Sequence, residues 1–211
     1  MVTRSLLHTL QALSRTSKPG PPTVYSHVHL CLALLTIGDQ GPIGRIELSR
    51  KLAIGEGAVR TIIKRLAQAG LLATAKEGCV LTNQGSSLYQ QLRRKFSNII
   101  ILDAKQLSID KVNAAVLIRS ARHLVKKGIE QRDAAVRAGA TGACTLVCSH
   151  GKFTMPLDDE PQWKLTPRDS LFQELNSSLQ PKDNDVIAII GAAGKEQAKQ
   201  GAMAAALTLL Q

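Results

Sequence analysis

The chain has 211 residues, 44% of them hydrophobic, and carries 27 Lys+Arg against 16 Asp+Glu for a formal net charge of +11 at pH 7. That length holds one large or two modest domains, each with its own core, and the hydrophobic share marks the chain as globular. No stretch is long and apolar enough to span a bilayer, and His8, Thr9 and Gln11 interrupt the leucines of Met1 to Ser14 before the apolar centre of a secretion signal can form.

From the N-terminus, Leu6, Leu7, Leu10 and Leu13 predict a short amphipathic helix. Ser14 to Thr23, with Lys18-Pro19-Gly20-Pro21-Pro22, cannot continue it, so residues 1–23 read as a leading helix and its connector. Helical patterning resumes over Tyr25 to Ile37 with Val28, Leu32, Leu35 and Ile37; His27 and His29 on that helix are read as structural. Gly41 to Arg45 predicts a short strand.

The segment Ile46 to Gly85 organises the rest. Leu48 and Leu52, then Ile54 in a turn, precede Val59, Ile62, Ile63 and Leu66, an i, i+3, i+4, i+7 stripe. Gly55-Glu56-Gly57 between them is expected to break the helix and to permit a close approach of two backbones. Leu71 to Thr74 and Cys79 to Leu81 predict a β-ribbon around Lys76-Glu77-Gly78. Thr82 or Asn83 then caps a helix marked by Leu88, Leu92 and Phe96, with Arg93, Arg94 and Lys95 in its last turn. Two short helices followed by a ribbon describe a winged helix-turn-helix, placed at residues 24–97.

The face of the second helix opposite the stripe carries Glu56, Arg60, Thr61, Lys64, Arg65 and Gln68, long donor-rich side chains suited to a major groove. Arg60, Thr61, Lys64 and Glu56 are assigned to base edges, with Gly57 on the same surface. Arg45, Arg50, Arg65 and Lys76 are assigned to phosphates or to the minor groove beside the wing. Charge supports that assignment. Up to Phe96 there are 13 Lys+Arg against 4 Asp+Glu, which leaves 14 basic and 12 acidic residues for the remainder. The excess belongs to the half with the winged helix, and double-stranded DNA is the expected partner.

Residues 98–211 predict an α/β domain, so the chain as a whole is an α+β or α/β two-domain protein. Asn98 to Leu102 and Ala114 to Ile118 read as buried strands, Gly128 to Arg137 as a helix, and Ala143 to Val147 and Phe153 to Met155 as strands. Thr166-Pro167-Arg168-Asp169 predicts a helix start with Thr166 as cap and Asp169 in the first turn. Val186 to Ile190 is a strand and Lys195 to Leu210 an Ala-rich helix. Ile129, Arg132, Asp133 and Val136 share one helical face, where a charged pair beside a buried stripe is either satisfied internally or reserved for a ligand. Gly191 and Gly194 lead a strand into the helix at Lys195, either as a tight structural turn or as an anion site at the helix N-terminus. Glu196 after the lysine excludes a Walker A loop. Arg132, Asp133, Gly191, Gly194 and Lys195 are therefore the candidate pocket for a small, anionic effector.

Cys31, Cys79, Cys144 and Cys148 form no CxxC pair, and residues four apart on a strand are roughly 13 Å apart, too far for one metal. Neither a metal nor a cofactor is expected, and reduced thiols fit a cytoplasmic protein. No nucleophile, base and orienting group occur at recognisable spacing, and Asp158-Asp159-Glu160 are successive carboxylates in a Pro-flanked loop, so the chain is not read as an enzyme.

Pro19-Gly20-Pro21-Pro22, Pro42-Ile43-Gly44-Arg45, Gly55 to Thr61, Leu81 to Gly85 and Gly128 to Leu146 together resemble archaeal winged-helix proteins whose second half is a domain of unknown function. The resemblance spans nearly the whole chain from Pro19 and implies a transcriptional regulator without implying a ligand. A serine often caps the recognition helix in winged helices, where this sequence has Gly55. The expected function is thus sequence-specific DNA binding by a homodimer whose C-terminal domain senses a metabolite or dimerises, the contact falling on the Gln84 to Phe96 helix or on the second domain. An enzyme with a fused winged helix and a winged helix used for protein contacts in the transcription apparatus are the two other classes.

Overall fold

The computed structural model describes residues 2–14, 24–107, 109–156 and 163–210. The predicted connector (residues 15–23) and Asp158-Asp159-Glu160 lie outside the described residues. The chain divides into two compact units, Met1–Arg93 and Arg94–Gln211.

The first unit begins with α1 (Val2–Ser14), whose Leu6 and Leu10 are buried, and α2 (His27–Gln40), an almost wholly apolar helix that forms the centre of this unit. Ser26 caps α2: its hydroxyl accepts the Val28 N–H at 3.3 Å, and His29 Nδ1 accepts the Ser26 N–H at 3.1 Å. This is a capping box with histidine where Glu or Gln usually stands. Burial lowers the pKa of His27 and of His29, the latter further through His27, so the folded state favours neutral rings. Below a pH of about 6.5 the unfolded chain then binds more protons than the folded one, and stability falls as pH drops from there. The melting temperature of the N-terminal unit should decline between pH 7.5 and 5.0. His29→Gln, which keeps an acceptor at that position without a titrating ring, should shrink the decline; an undiminished decline would contradict the capping role.

The helix-turn-helix consists of α3 (Arg45–Leu52) and α4 (Glu56–Gln68), which bury Leu48, Leu52, Val59, Ile62 and Leu66. Ala53, in the left-handed region at φ 49, ends α3, and the Ser49 hydroxyl donates to the Ile54 carbonyl at 2.6 Å. The expected close backbone approach at Gly55 and Gly57 is not formed: a Cβ at either position would meet nothing within 4 Å. The crowded glycines lie elsewhere. In the wing, β1 (Leu72–Ala75) pairs antiparallel with β2 (Gly78–Leu81). Gly78 adopts φ +136, and a Cβ there would come 2.5 Å from the Ile43 carbonyl oxygen. Ile43 and Cys79 exchange backbone bonds of 3.2 and 2.9 Å, a single antiparallel bridge on the outer edge of β2. Thr82 caps α5 (Asn83–Lys95), accepting the Gly85 N–H at 3.0 Å while its own hydroxyl donates to the Gly70 carbonyl at 2.6 Å.

The second unit is built on a six-stranded sheet in the order β3-β4-β8-β5-β6-β7, antiparallel at every described pairing. Its elements are β3 (Ile100–Leu102), β4 (Val112–Ile118), α6 (Ile129–Arg137), β5 (Gly142–Ser149), β6 (Lys152–Thr154), β7 (Lys164–Leu165), α7 (Ser170–Leu179), β8 (Val186–Ala192) and α8 (Lys195–Leu207). Strands β4, β8 and β5 are buried on both faces, hence their continuous apolar runs. Ala115, Leu117, Cys144, Leu146, Ile187 and Ile189 pack on one face with Leu171, Phe172 and Leu175 of α7, and Phe153 stacks on Phe172 at 4.3 Å. The other face carries α8 and α6. Gly201 of α8 lies so near Ile190 and Ala140 that a Cβ would come within 2.9 and 3.0 Å of them.

Two expectations need correction in this unit. Strand β7 was not foreseen. Helix α7 begins at Ser170, because Asp169 Oδ2 accepts both the backbone N–H and the hydroxyl of Thr166, at 2.6 and 2.9 Å, and so closes a turn ahead of the helix. The Thr166 hydroxyl is spent as a donor and does not cap α7.

Candidate nucleic-acid interface

Along α4 the residues after Glu56 alternate between a buried side and a solvent side, and Gly57, Arg60, Thr61 and Lys64 are all exposed. At about 100° per residue, Arg60 and Lys64 differ by about 40° around the axis and project side by side from successive turns. Among the described residues neither is engaged by an ion pair, and the same holds for Arg50 of α3 and for Lys76 at the tip of the wing. All four are exposed, on the helix-turn-helix and its ribbon. A Cβ on Gly57 would stand in open space, so nothing obstructs the start of the helix.

Four predicted members of the site are engaged differently. Arg65 turns inward: its Nη1 donates to the Leu13 carbonyl at 2.8 Å, and its guanidinium lies 5.5 Å from the centre of the Tyr25 ring. Five residues beyond Arg60, it sits about 140° around the helix and faces the flank that α1 covers. These contacts tie it to α1 and to the residue before α2. Arg45 and Glu56 pair with each other at 3.2 Å, joining the starts of α3 and α4. As a half-exposed pair they contribute about 0–1 kcal/mol, and Glu56 also sits favourably in the first turn of α4. Thr61 spends its donor on the Gly57 carbonyl at 3.0 Å, which leaves its methyl group and acceptor pairs for a partner.

Helix α5 is fastened to the C-terminal end of α2. Tyr89 and Arg93 both bind the Asp39 carboxylate, and the Tyr89 ring occupies the space that a side chain at Gly38 would need. None of these contacts was read from the sequence, because their partners lie some 50 residues apart.

The proposed effector pocket is not assembled. Gly191 is buried within β8, where Ile109 Cγ2 would lie 2.5 Å from a Cβ; it is a close-packing glycine. A Cβ on Gly194 would come 2.6 Å from Gln197 Oε1, so the Gln197 side chain covers the start of α8. Lys195 is exposed at that same end. Asp133 lines a cavity of about 380 Å³ at the opposite end of α8, together with Lys126, Glu130, Gln131, Arg137 and Thr208. Helix α6 anchors there through Gln131 Nε2, which donates to the Thr208 hydroxyl at 2.7 Å. A 13-residue helix is about 20 Å long, so Asp133 and Lys195 do not meet. Arg132 is exposed and does not line the cavity. Burial pushes the thiols of Cys31, Cys144 and Cys148 up to about 12, which keeps them protonated and unreactive.

Residues 31–87, from α2 to the start of α5, match the model of the PH0730-like N-terminal domain, and residues 109–209 match that of a domain of unknown function, DUF4443. The chain is similar to the solved structure of hypothetical protein PH0730 from Pyrococcus horikoshii OT3, which is 24% identical and aligns over 86% of this chain and 91% of that one with a TM-score of 0.66. That likeness is one of fold. A MarR family protein of Mycobacterium tuberculosis (19% identity, 44% of this chain and 63% of that one) aligns with a TM-score of 0.32, and an IclR transcriptional regulator from Alicyclobacillus acidocaldarius (9% identity, 99% and 96%) with one of 0.27. Both scores are too low to bear on function. No curated protein matches the chain. Among the described residues no helix is long and apolar enough to cross a membrane.

Proposed function

We propose that this protein is a double-stranded DNA-binding transcriptional regulator that presents α4 to the major groove and works as a homodimer. The observation that carries the reading is the free, exposed pair Arg60 and Lys64 on the outer face of α4, together with the exposed Lys76 at the wing tip. The uneven charge supports it, since 13 of the 27 basic residues and only 4 of the 16 acidic ones fall in the first 96 positions. Lys and Arg on that surface supply the phosphate contacts that dominate affinity, and the long donors of Arg60 and Lys64 supply base contacts. The engaged residues Arg45, Glu56 and Arg65 hold the helices in register instead of reading DNA.

Gel shifts at two salt concentrations test this. Bound to its own promoter and to a scrambled duplex of equal length, the protein should lose affinity for both as salt rises, yet keep its preference for the promoter. A winged helix used for protein contacts, or one fused to an enzyme, would show no preference at either concentration. That outcome would overturn the proposal.

A further inference from the structure

Neither backbone conformation nor packing requires a glycine at Gly57. It lies in the first turn of α4, outside the residues that adopt a positive φ, and a Cβ there would meet nothing within 4 Å. At Gly78 and Gly85, by contrast, a Cβ would run into the backbone of Ile43 or of Leu71. Glycine within a helix is less favourable than alanine, because it loses more backbone freedom on folding. What it provides at Gly57 is room on the outer surface: the residue sits about 180° around the helix from the buried Leu66, at the centre of the solvent face.

Thr61 stands one turn further along, about 40° around the axis and about 6 Å up it, and is exposed. Its hydroxyl is turned back on the helix and donates to the Gly57 carbonyl at 3.0 Å. That bond ties down the polar arm of the side chain and leaves the methyl for a partner to meet. The bare Gly57 Cα and the Thr61 methyl thus border a shallow apolar notch on an otherwise polar face. Exposed Lys64 and Arg60 run along one side of it, about 20° and 60° around from Gly57. Among the four bases, only thymine presents an apolar group, its 5-methyl, in the major groove.

We infer that the notch between Gly57 and Thr61 receives the 5-methyl group of one thymine, so that one position of the DNA site is read by apolar contact beside the cations Arg60 and Lys64. Thymine is the occupant because the notch offers no free side-chain donor for the acceptors of a purine. The amino group of cytosine or adenine would meet only the Thr61 oxygen, a contact to which the bare Gly57 Cα adds nothing. The inference rests on the proposed entry of α4 into the major groove and names the base chemistry that this helix reads.

The test uses the full chain and the duplex it enriches from a random pool, with each thymine replaced in turn by deoxyuridine, which lacks only the 5-methyl. At one position wild type should prefer thymine about fourfold, the worth of burying one methyl-sized group. Thr61→Ser keeps the hydroxyl without the methyl and should bind the two forms of that position equally. Thr61→Val keeps a methyl without the hydroxyl and should preserve the preference. Gly57→Ala fills the notch and should bind the thymine duplex roughly tenfold more weakly, while melting at or above the wild-type temperature. Failure of wild type to enrich any motif overturns the DNA-binding reading and this inference with it. An enriched motif whose deoxyuridine scan is flat overturns the notch alone. So does a preference that survives undiminished in Thr61→Ser or vanishes in Thr61→Val, or a Gly57→Ala variant that binds thymine as tightly as wild type.

Discussion

Replacing Gly85 with alanine is expected to destabilise the N-terminal unit by about 3 kcal/mol, the upper end of the usual overpacking range. The new Cβ would lie 2.0 Å from the Leu71 carbonyl oxygen, a backbone atom. Leu71 cannot move aside cheaply. Its N–H donates to the Leu66 carbonyl at the end of α4, and its carbonyl accepts the Thr82 N–H at 3.1 Å. Relief therefore requires prising α5 away from the corner between α4 and the wing. In urea the unfolding transition of the N-terminal unit should move to a much lower midpoint. Gly57→Ala, within the first turn of α4 and with open space around it, should leave that midpoint unchanged or raise it slightly. A Gly85→Ala midpoint close to wild type would show that the α4–wing corner is far more pliable than its hydrogen bonds imply.

The double substitution Arg60→Glu with Lys64→Glu should reduce DNA affinity on the order of 1,000-fold, about 4 kcal/mol, while leaving the melting temperature within a few degrees of wild type. Each cation is worth about 1–3 kcal/mol when it makes a good base contact, and reversing its sign sets a carboxylate against the polyanion. Both side chains are exposed, so folding does not depend on them. Lys76→Ala, by contrast, removes a single charge at the wing. It should weaken all duplexes alike and flatten the salt dependence by about one unit. A double variant that binds as tightly as wild type would remove α4 from the interface. Fluorescence anisotropy with labelled duplex, alongside thermal melts of the same preparations, separates lost binding from lost fold.

These expectations rest on parts of the fold that differ in how openly the sequence displays them. The stripe Val59, Ile62, Leu66 is a local, periodic signal, and α4 buries those residues. The wing was legible for the same reason: two short β-prone runs flank a turn ending in Gly78, which takes a positive φ. The engagement of Arg65 was not legible, because helical spacing alone does not reveal that Leu13 and Tyr25, 52 and 40 positions away in sequence, would occupy its flank. In the second unit the strands were recognisable as apolar runs, yet their antiparallel order was not, since strands covered on both faces look alike in either arrangement. Gly191 illustrates a further limit. A glycine between a strand and a helix matches the local signature of an anion site, whereas the side chain that demands it, Ile109, approaches from 82 residues earlier. On α6 the spacing of Ile129 and Val136 was read correctly and their side of the helix was not, because the small residues of α8 accept only Ala135 and Gln131 beneath them.

The central claim is that the outer face of α4 reads DNA sequence, and selection of bound duplexes from a random pool tests it most directly. Wild-type protein should enrich one motif, and Arg60→Ala should enrich the same motif with its preference relaxed at a single base position. Failure of wild type to enrich any motif, or an identical motif from Arg60→Ala and from the Arg60→Glu/Lys64→Glu variant, would contradict it.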